Sequence, residues 1–230
     1  MSITATPNYE GRRRLSVAHL LTALMALFII APFVDRFAYG NLIESGVFTA
    51  VLLTAVGAVG GRRRTLIAAA LLAVPALAAR WLNHLAPSLV PTDIGLVLAI
   101  VFVLFVIAHL FRFVITAKCV TTEVLCAAIS VYLLFAIVGS QLYTLLGRWD
   151  PGAFSFTVPA DSQATMSGFM ALYFSVQILT TITFGDILPV SPVARMMAIV
   201  EAGIGVFYLA ILIARLVGLY SSPPPSEGAE

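Results

Sequence analysis

Long apolar runs, broken by short polar or basic segments, set the plan of this chain. Leu15 to Val34, Ser45 to Val59, Thr65 to about Leu85, Asp93 to about Thr116, Thr121 to about Leu146 and Ala194 to about Tyr220 each read as a helix. Several of these runs approach the ~20 apolar residues a membrane-spanning helix needs, and none alternates with the period of two that barrel strands show. The pattern predicts an all-α integral membrane protein with six transmembrane helices. Asp35 to Glu44 and Pro87 to Pro91 read as polar turns, and Gly60-Gly61 followed by Arg62-Arg63-Arg64 ends the second helix. Pro75 is expected to kink the third. Before the first run, Met1 to Glu10 is polar and Arg12-Arg13-Arg14 abuts Leu15; the run is long and lacks a small-residue cleavage site, so a retained helix is expected rather than a secretory signal. The proline- and acid-containing tail after Tyr220 reads as disordered.

Composition agrees with the pattern. Hydrophobic residues make up 60% of the chain and charged residues 10%, and the mean hydropathy is +1.02. An ordinary soluble domain carries about a quarter of its residues as charges. Cys119 and Cys126 lie a heptad apart at the start of one run, a poor placement for a bridge, so free thiols are expected.

Between the last two runs lies a stretch of different character, Thr180-Thr181-Ile182-Thr183-Phe184-Gly185-Asp186. It is too short and too polar to cross a bilayer. Ser167 to Leu179 before it suits a short helix carrying Tyr173, Phe174 and Gln177, and Ile187 to Pro192 after it climbs out through two prolines. Non-helical backbone at membrane depth survives where protein buries it or where it borders water, because an unpaired amide in hydrocarbon costs several kcal/mol. The stretch is therefore expected to be a re-entrant loop beside a pore or cavity.

The run from Tyr173 to Asp186 resembles the pore helix and selectivity filter of the potassium-channel pore-loop family, whose signature is Thr-Val/Ile-Gly-Tyr/Phe-Gly-Asp. The resemblance extends over roughly Thr121 to Tyr220. It implies a homotetramer conducting monovalent cations, because backbone carbonyls from several copies of such a loop replace the ion's hydration shell. Carried over residue by residue, the hydroxyl and carbonyl of Thr181 and the carbonyls of Ile182, Thr183 and Phe184 would form oxygen rings. Gly185 would allow the last turn, Asp186 would sit at the outer end, and Gln177 and Thr180 would support the filter, with the Gln177 amide reaching Asp186. The permeant ion, potassium or another monovalent cation, is the cargo, and no cofactor is expected.

Thr183 departs from the family, standing where the first filter glycine belongs. Aiming consecutive carbonyls at one axis needs some residues with φ > 0, which glycine adopts readily and a β-branched residue adopts with strain of about 1–3 kcal/mol. Either the peptide near Thr183 rotates and one carbonyl ring is lost, or the Thr183 hydroxyls take its place. Both arrangements predict weaker discrimination between potassium and sodium. The alternative from another class is a non-conducting membrane subunit or scaffold with a degenerate filter.

Glu201 lies inside the last span, where a carboxylate is costly and normally paired or wetted. It is expected to brace the back of the filter, against the plainer expectation of a bond to Arg195 or to backbone. Gly203 and Gly205 permit close packing or a hinge; Gly205 falls near the inner-helix hinge position of the family. Charge sets the orientation: with both termini cytoplasmic, Arg12, Arg13, Arg14, Arg62, Arg63, Arg64, Arg112, Lys118 and Arg215 fall inside, and Arg36, Arg80, Arg148 and Arg195 outside. The organisation expected is a cytoplasmic segment 1–14, a four-helix bundle 15–118, a pore module 119–220 and a tail 221–230 in a cell membrane. The fourth helix offers only His109 and Arg112 near its inner end, which argues against voltage sensing. His19, His84 and His109 are scattered. No nucleotide loop, His-Glu-x-x-His spacing or Gly-x-Ser-x-Gly elbow suggests an enzyme, and the arginine triplets suit anionic lipid headgroups better than nucleic acid.

Overall fold

A computed structural model describes residues 7–34, 40–59, 63–85, 91–157 and 165–220. The first four helices are α1 (Pro7–Val34), α2 (Gly40–Val59), α3 (Arg63–Leu85) and α4 (Thr92–Thr116). They are followed by α5 (Thr122–Trp149), β1 (Phe154–Phe156), α6 (Gly168–Leu179), β2 (Ile187–Pro189) and α7 (Pro192–Tyr220). The tail after Tyr220, Arg36 and the turn around Gly60 lie outside the described residues.

Among the described residues, four helices are long and apolar enough to cross a membrane, Thr65–Asn83, Thr92–Thr116, Thr122–Trp149 and Pro192–Leu219, while the apolar stretches of α1 and α2, Val17–Phe33 and Ser45–Val59, are shorter. At about 1.5 Å per residue, the 12 residues of α6 reach only about 18 Å, well under the ~30 Å of hydrocarbon.

α2 starts at Gly40, ahead of the Ser45 read along the chain, and two larger features differ as well. The helix carrying the first apolar run starts at Pro7, so it runs through Arg12, Arg13 and Arg14 without a break. Proline at the first helical position has its φ preset and forgoes an N–H that would have been unpaired there. The second is a two-stranded antiparallel sheet, in which Phe154 pairs with Pro189, Ser155 with Leu188 and Phe156 with Ile187. Strands of three residues are too short to leave a period in the sequence. Their pairing is decided by the return of the chain to the end of α5, where the Val190 N–H donates to the Ala153 carbonyl at 2.8 Å.

Packing sorts the helix ends into two groups. Arg148 Nε donates to Asp93 Oδ1 at 2.6 Å and Trp149 Nε1 to Asp93 Oδ2 at 3.2 Å, joining the start of α4 to the end of α5. At the opposite end Arg215 Nη2 donates to the Ala117 carbonyl at 2.7 Å, tying the end of α7 to the α4–α5 turn. Thr121 caps α5 there, accepting from the Val124 N–H at 3.4 Å. Cys119 in that turn is exposed, and both it and Cys126 are free thiols. The large core runs through α1 to α5. A smaller one lies between the end of α5, the sheet, α6 and the start of α7. In it the rings of Tyr143, Phe154 and Phe174 meet edge to face with centroids 4.9 to 5.8 Å apart.

Phe174 is buried in this aromatic cluster whereas Ile129 on α5 is half exposed. Phe174→Ala is expected to cost about 3–5 kcal/mol and Ile129→Ala much less, measured as the loss of thermal stability of the purified protein in detergent.

Candidate functional site

The site is built by α6 and the seven residues after it. Thr180 ends the helix by turning its hydroxyl back to the Val176 carbonyl, 2.6 Å away. The chain then enters the left-handed region at alternate residues: φ is 59° at Thr181, 36° at Thr183 and 80° at Gly185. Glycine adopts such angles freely. The two threonines are strained by about 1–3 kcal/mol each, and Thr181 was not foreseen as a strained position.

Gln177, buried on α6, holds this strained backbone. Its carbonyl accepts from the Ile182 N–H at 3.0 Å, its Oε1 accepts from the Phe184 N–H at 3.1 Å, and its Nε2 donates to Asp186 Oδ1 at 3.2 Å. The first two bonds flank Thr183, so one residue grips the chain on both sides of the strained position. Asp186 is held in turn by the Tyr173 hydroxyl, which donates to Oδ2 at 2.8 Å, and by the Ile187 N–H at 3.1 Å. Burial pushes the Asp186 carboxyl up, but the bonds from Tyr173, Gln177 and the backbone outweigh it and hold the group below its ordinary value. The Tyr173 and Phe184 rings lie nearly parallel, 5° apart in plane with centroids at 6.3 Å. The loop leaves by the sheet, where the Thr157 N–H donates to the Asp186 carbonyl at 2.8 Å.

The opposite side of the loop is bare. Thr181, Ile182, Thr183, Phe184 and Gly185 are exposed, Ile182 at 58% and Phe184 at 69%. Hydroxyls and carbonyls are hard oxygen donors suited to hard cations rather than to soft metals. Among the described residues no group of three or more His, Cys, Asp or Glu is placed to hold a metal ion.

Behind α6 stand α5 and α7. Glu201 Oε1 lies 2.5 Å from Ser175 Oγ on α6, while Arg195 donates to the Pro189 carbonyl at 3.2 Å. Gly205 faces the Leu179 carbonyl so closely that a Cβ there would overlap it, whereas a Cβ on Gly203 would meet only Phe207 Cε2 at 3.9 Å. Tyr132 of α5 also donates to the Leu179 carbonyl, at 3.2 Å.

Thr180 to Asp186 and Gln177 thus converge at one end of α6, and Glu201 and Gly205 touch α6 from behind. Sequence reasoning missed Tyr173, Ser175, Tyr132 and Gly139 as parts of the site. Tyr173 and Gln177 are four apart on one helix, a spacing that places them on one face; the other three carry no local signal. Residues 119–222 match a family model described as an ion channel. No curated protein and no solved structure matches the chain.

Gly205→Ala is expected to cost about 1–3 kcal/mol by overpacking and Gly203→Ala far less, read as the difference in melting temperature between the variants. The lowered Asp186 value makes a second test. Its contribution is present above the unfolded value, near 3.8, and is lost as pH falls through the lower folded value. Melting temperature should therefore drop on acidification from about 3.8 down to that lower value in the wild type and respond less in Asp186→Asn.

Proposed function

We propose, from the match of residues 119–222 to an ion-channel family model, that the chain is a potassium-channel-like subunit. Four copies surround one axis and conduct monovalent cations through the loop Thr181–Phe184. The observation that carries this reading is the left-handed alternation at Thr181, Thr183 and Gly185, held from α6 by Gln177. A backbone that alternates hand can aim successive carbonyls to one side, the requirement for dehydrating an ion. The exposure of Ile182 and Phe184 in one protomer supports assembly, since neighbouring copies would cover them.

In this reading α1 to α5 and α7 make six spans, α6 and the loop enter and leave from the outer face, and both termini are cytoplasmic. Thr183, Ile182 and Phe184 contribute oxygens to the pathway together with Thr181, while Gln177, Thr180, Gly185, Asp186 and Glu201 support it. The grouping of Arg215 with the α4–α5 turn supports the orientation, because it gathers Arg112, Lys118 and Arg215 toward one side. With His109 and Arg112 as the basic positions of α4, the bundle gives little voltage dependence. The Thr183 strain, repeated in every copy, lowers potassium over sodium selectivity.

Reconstituted protein should pass monovalent cations in bi-ionic conditions, and Thr183→Gly should raise the potassium-to-sodium permeability ratio by on the order of tenfold, the effect of ~1.4 kcal/mol. Strict potassium selectivity in the wild type that Thr183→Gly leaves unaltered sinks the selectivity claim; absence of current from a well-folded tetramer favours the non-conducting subunit. A membrane-impermeant maleimide should label Cys119 from the cytoplasmic side, with labelling absent in Cys119→Ser. Labelling from the outer side would invert the topology.

A further inference from the structure

Three helices meet at one buried hydroxyl. Ser175 Oγ on α6 lies 2.8 Å from the Ala136 carbonyl on α5 and 2.5 Å from Glu201 Oε1 on α7, and Ser175 is fully buried. Both neighbours are oxygens, and a serine hydroxyl has one proton to give. A backbone carbonyl has none. If Glu201 were ionised, one of these two short contacts would bring oxygen lone pairs together without a proton between them, inside the protein and away from water. Such an unmade bond costs about the full desolvation of the group.

The two contacts are satisfied together if the carboxyl supplies the second proton. We propose that Glu201 is a neutral carboxylic acid that donates from Oε1 to Ser175 Oγ, freeing the Ser175 hydroxyl to donate to Ala136. The result is a directed chain of hydrogen bonds, α7 to α6 to α5, that seats the pore helix from behind. Glu201 is then a positioning residue, acting on the loop through Ser175.

The surroundings agree with an uncharged group. Glu201 is 8% exposed. From α5 the ionisable group facing it is Tyr143, from α6 it meets Ser175, which does not titrate, and among the described residues no cation interacts with it. On its own helix Arg195 is turned to the Pro189 carbonyl. A carboxylate here would be a buried charge without a counter-ion, the costliest arrangement for such a group. Glu201 Oε2 and the Tyr143 hydroxyl are both buried without a hydrogen bond of ordinary length and angle. In the neutral acid Oε2 is a carbonyl oxygen, for which the facing Tyr143 hydroxyl is the complementary donor.

Gly139 on α5 makes room for the arrangement. A Cβ at this position would overlap both Glu201 Oε1 and Ser175 Oγ and would come within 2.7 Å of Glu201 Cδ. The sequence thus leaves a notch in α5 into which the acid and the hydroxyl fit together.

The functional meaning of the chain rests on the pore-helix reading above, but its protonation is testable without any current. Infrared difference spectra of the purified protein, wild type minus Glu201→Gln at neutral pH, are expected to show the carbonyl stretch of one protonated carboxylic acid per subunit. Ser175→Ala should shift that band in the direction of a weaker hydrogen bond. Melting temperature should fall as pH is raised through the value at which Glu201 releases its proton, and this alkaline fall should be lost in Glu201→Gln, whose amide N–H can still donate to Ser175. A carboxylate band in place of the acid band at neutral pH overturns the proposal, as does an equal alkaline fall in the wild type and in Glu201→Gln. If the acid band is present but the protein carries no current, the channel reading fails while the protonated acid stands.

Discussion

One buried amide holds the loop in a shape its own residues resist. Left to themselves, Thr181 and Thr183 would leave the left-handed region, because a β-branched side chain crowds the backbone there. They stay because Gln177 offers both an acceptor and a donor from a single planar group. Its carbonyl and Oε1 take the N–H groups of Ile182 and Phe184, and its Nε2 anchors Asp186. A glutamate at this place would present oxygens to Asp186 and repel it, and a leucine would leave the Phe184 N–H without this partner.

The clamp is useful only if α6 is itself immobile, and the helices behind it supply that. Gly205 brings the backbone of α7 against the Leu179 carbonyl, Tyr132 bonds the same oxygen from α5, and Ser175 joins α6 to both neighbours. These contacts need small residues or hydroxyls at the crossing points, which is how helices pack in a medium where apolar burial between them contributes little. On the other side of α6, the aromatic cluster of Tyr143, Phe154 and Phe174 fixes its approach to the two-stranded sheet. Strain in the loop is thus borne by a rigid frame on one side, while the other side is exposed.

The bundle of α1 to α4 meets this frame chiefly through α5, on which α1 and α4 pack. Few charges lie within its described part, and Arg80 is engaged with Ser45 Oγ at 3.2 Å and over the Phe48 ring at 4.5 Å. The family match begins at Cys119, where the bundle ends and the α4–α5 turn starts.

Apolar run length and the break around Thr180 to Asp186 determined the helical membrane class and the place of the site, because the cost of unpaired backbone in hydrocarbon leaves few ways to arrange such segments. The family resemblance likewise marked Gln177 and Asp186 as neighbours, and Gln177 Nε2 does donate to Asp186 Oδ1. The sheet of Phe154–Phe156 with Ile187–Pro189 and the meeting of Gly139, Ser175 and Glu201 were decided by tertiary structure. Each depends on residues distant in the chain, 39 positions between Ala136 and Ser175 and 26 between Ser175 and Glu201. Local pattern cannot register a contact whose partners are chosen by how three helices cross.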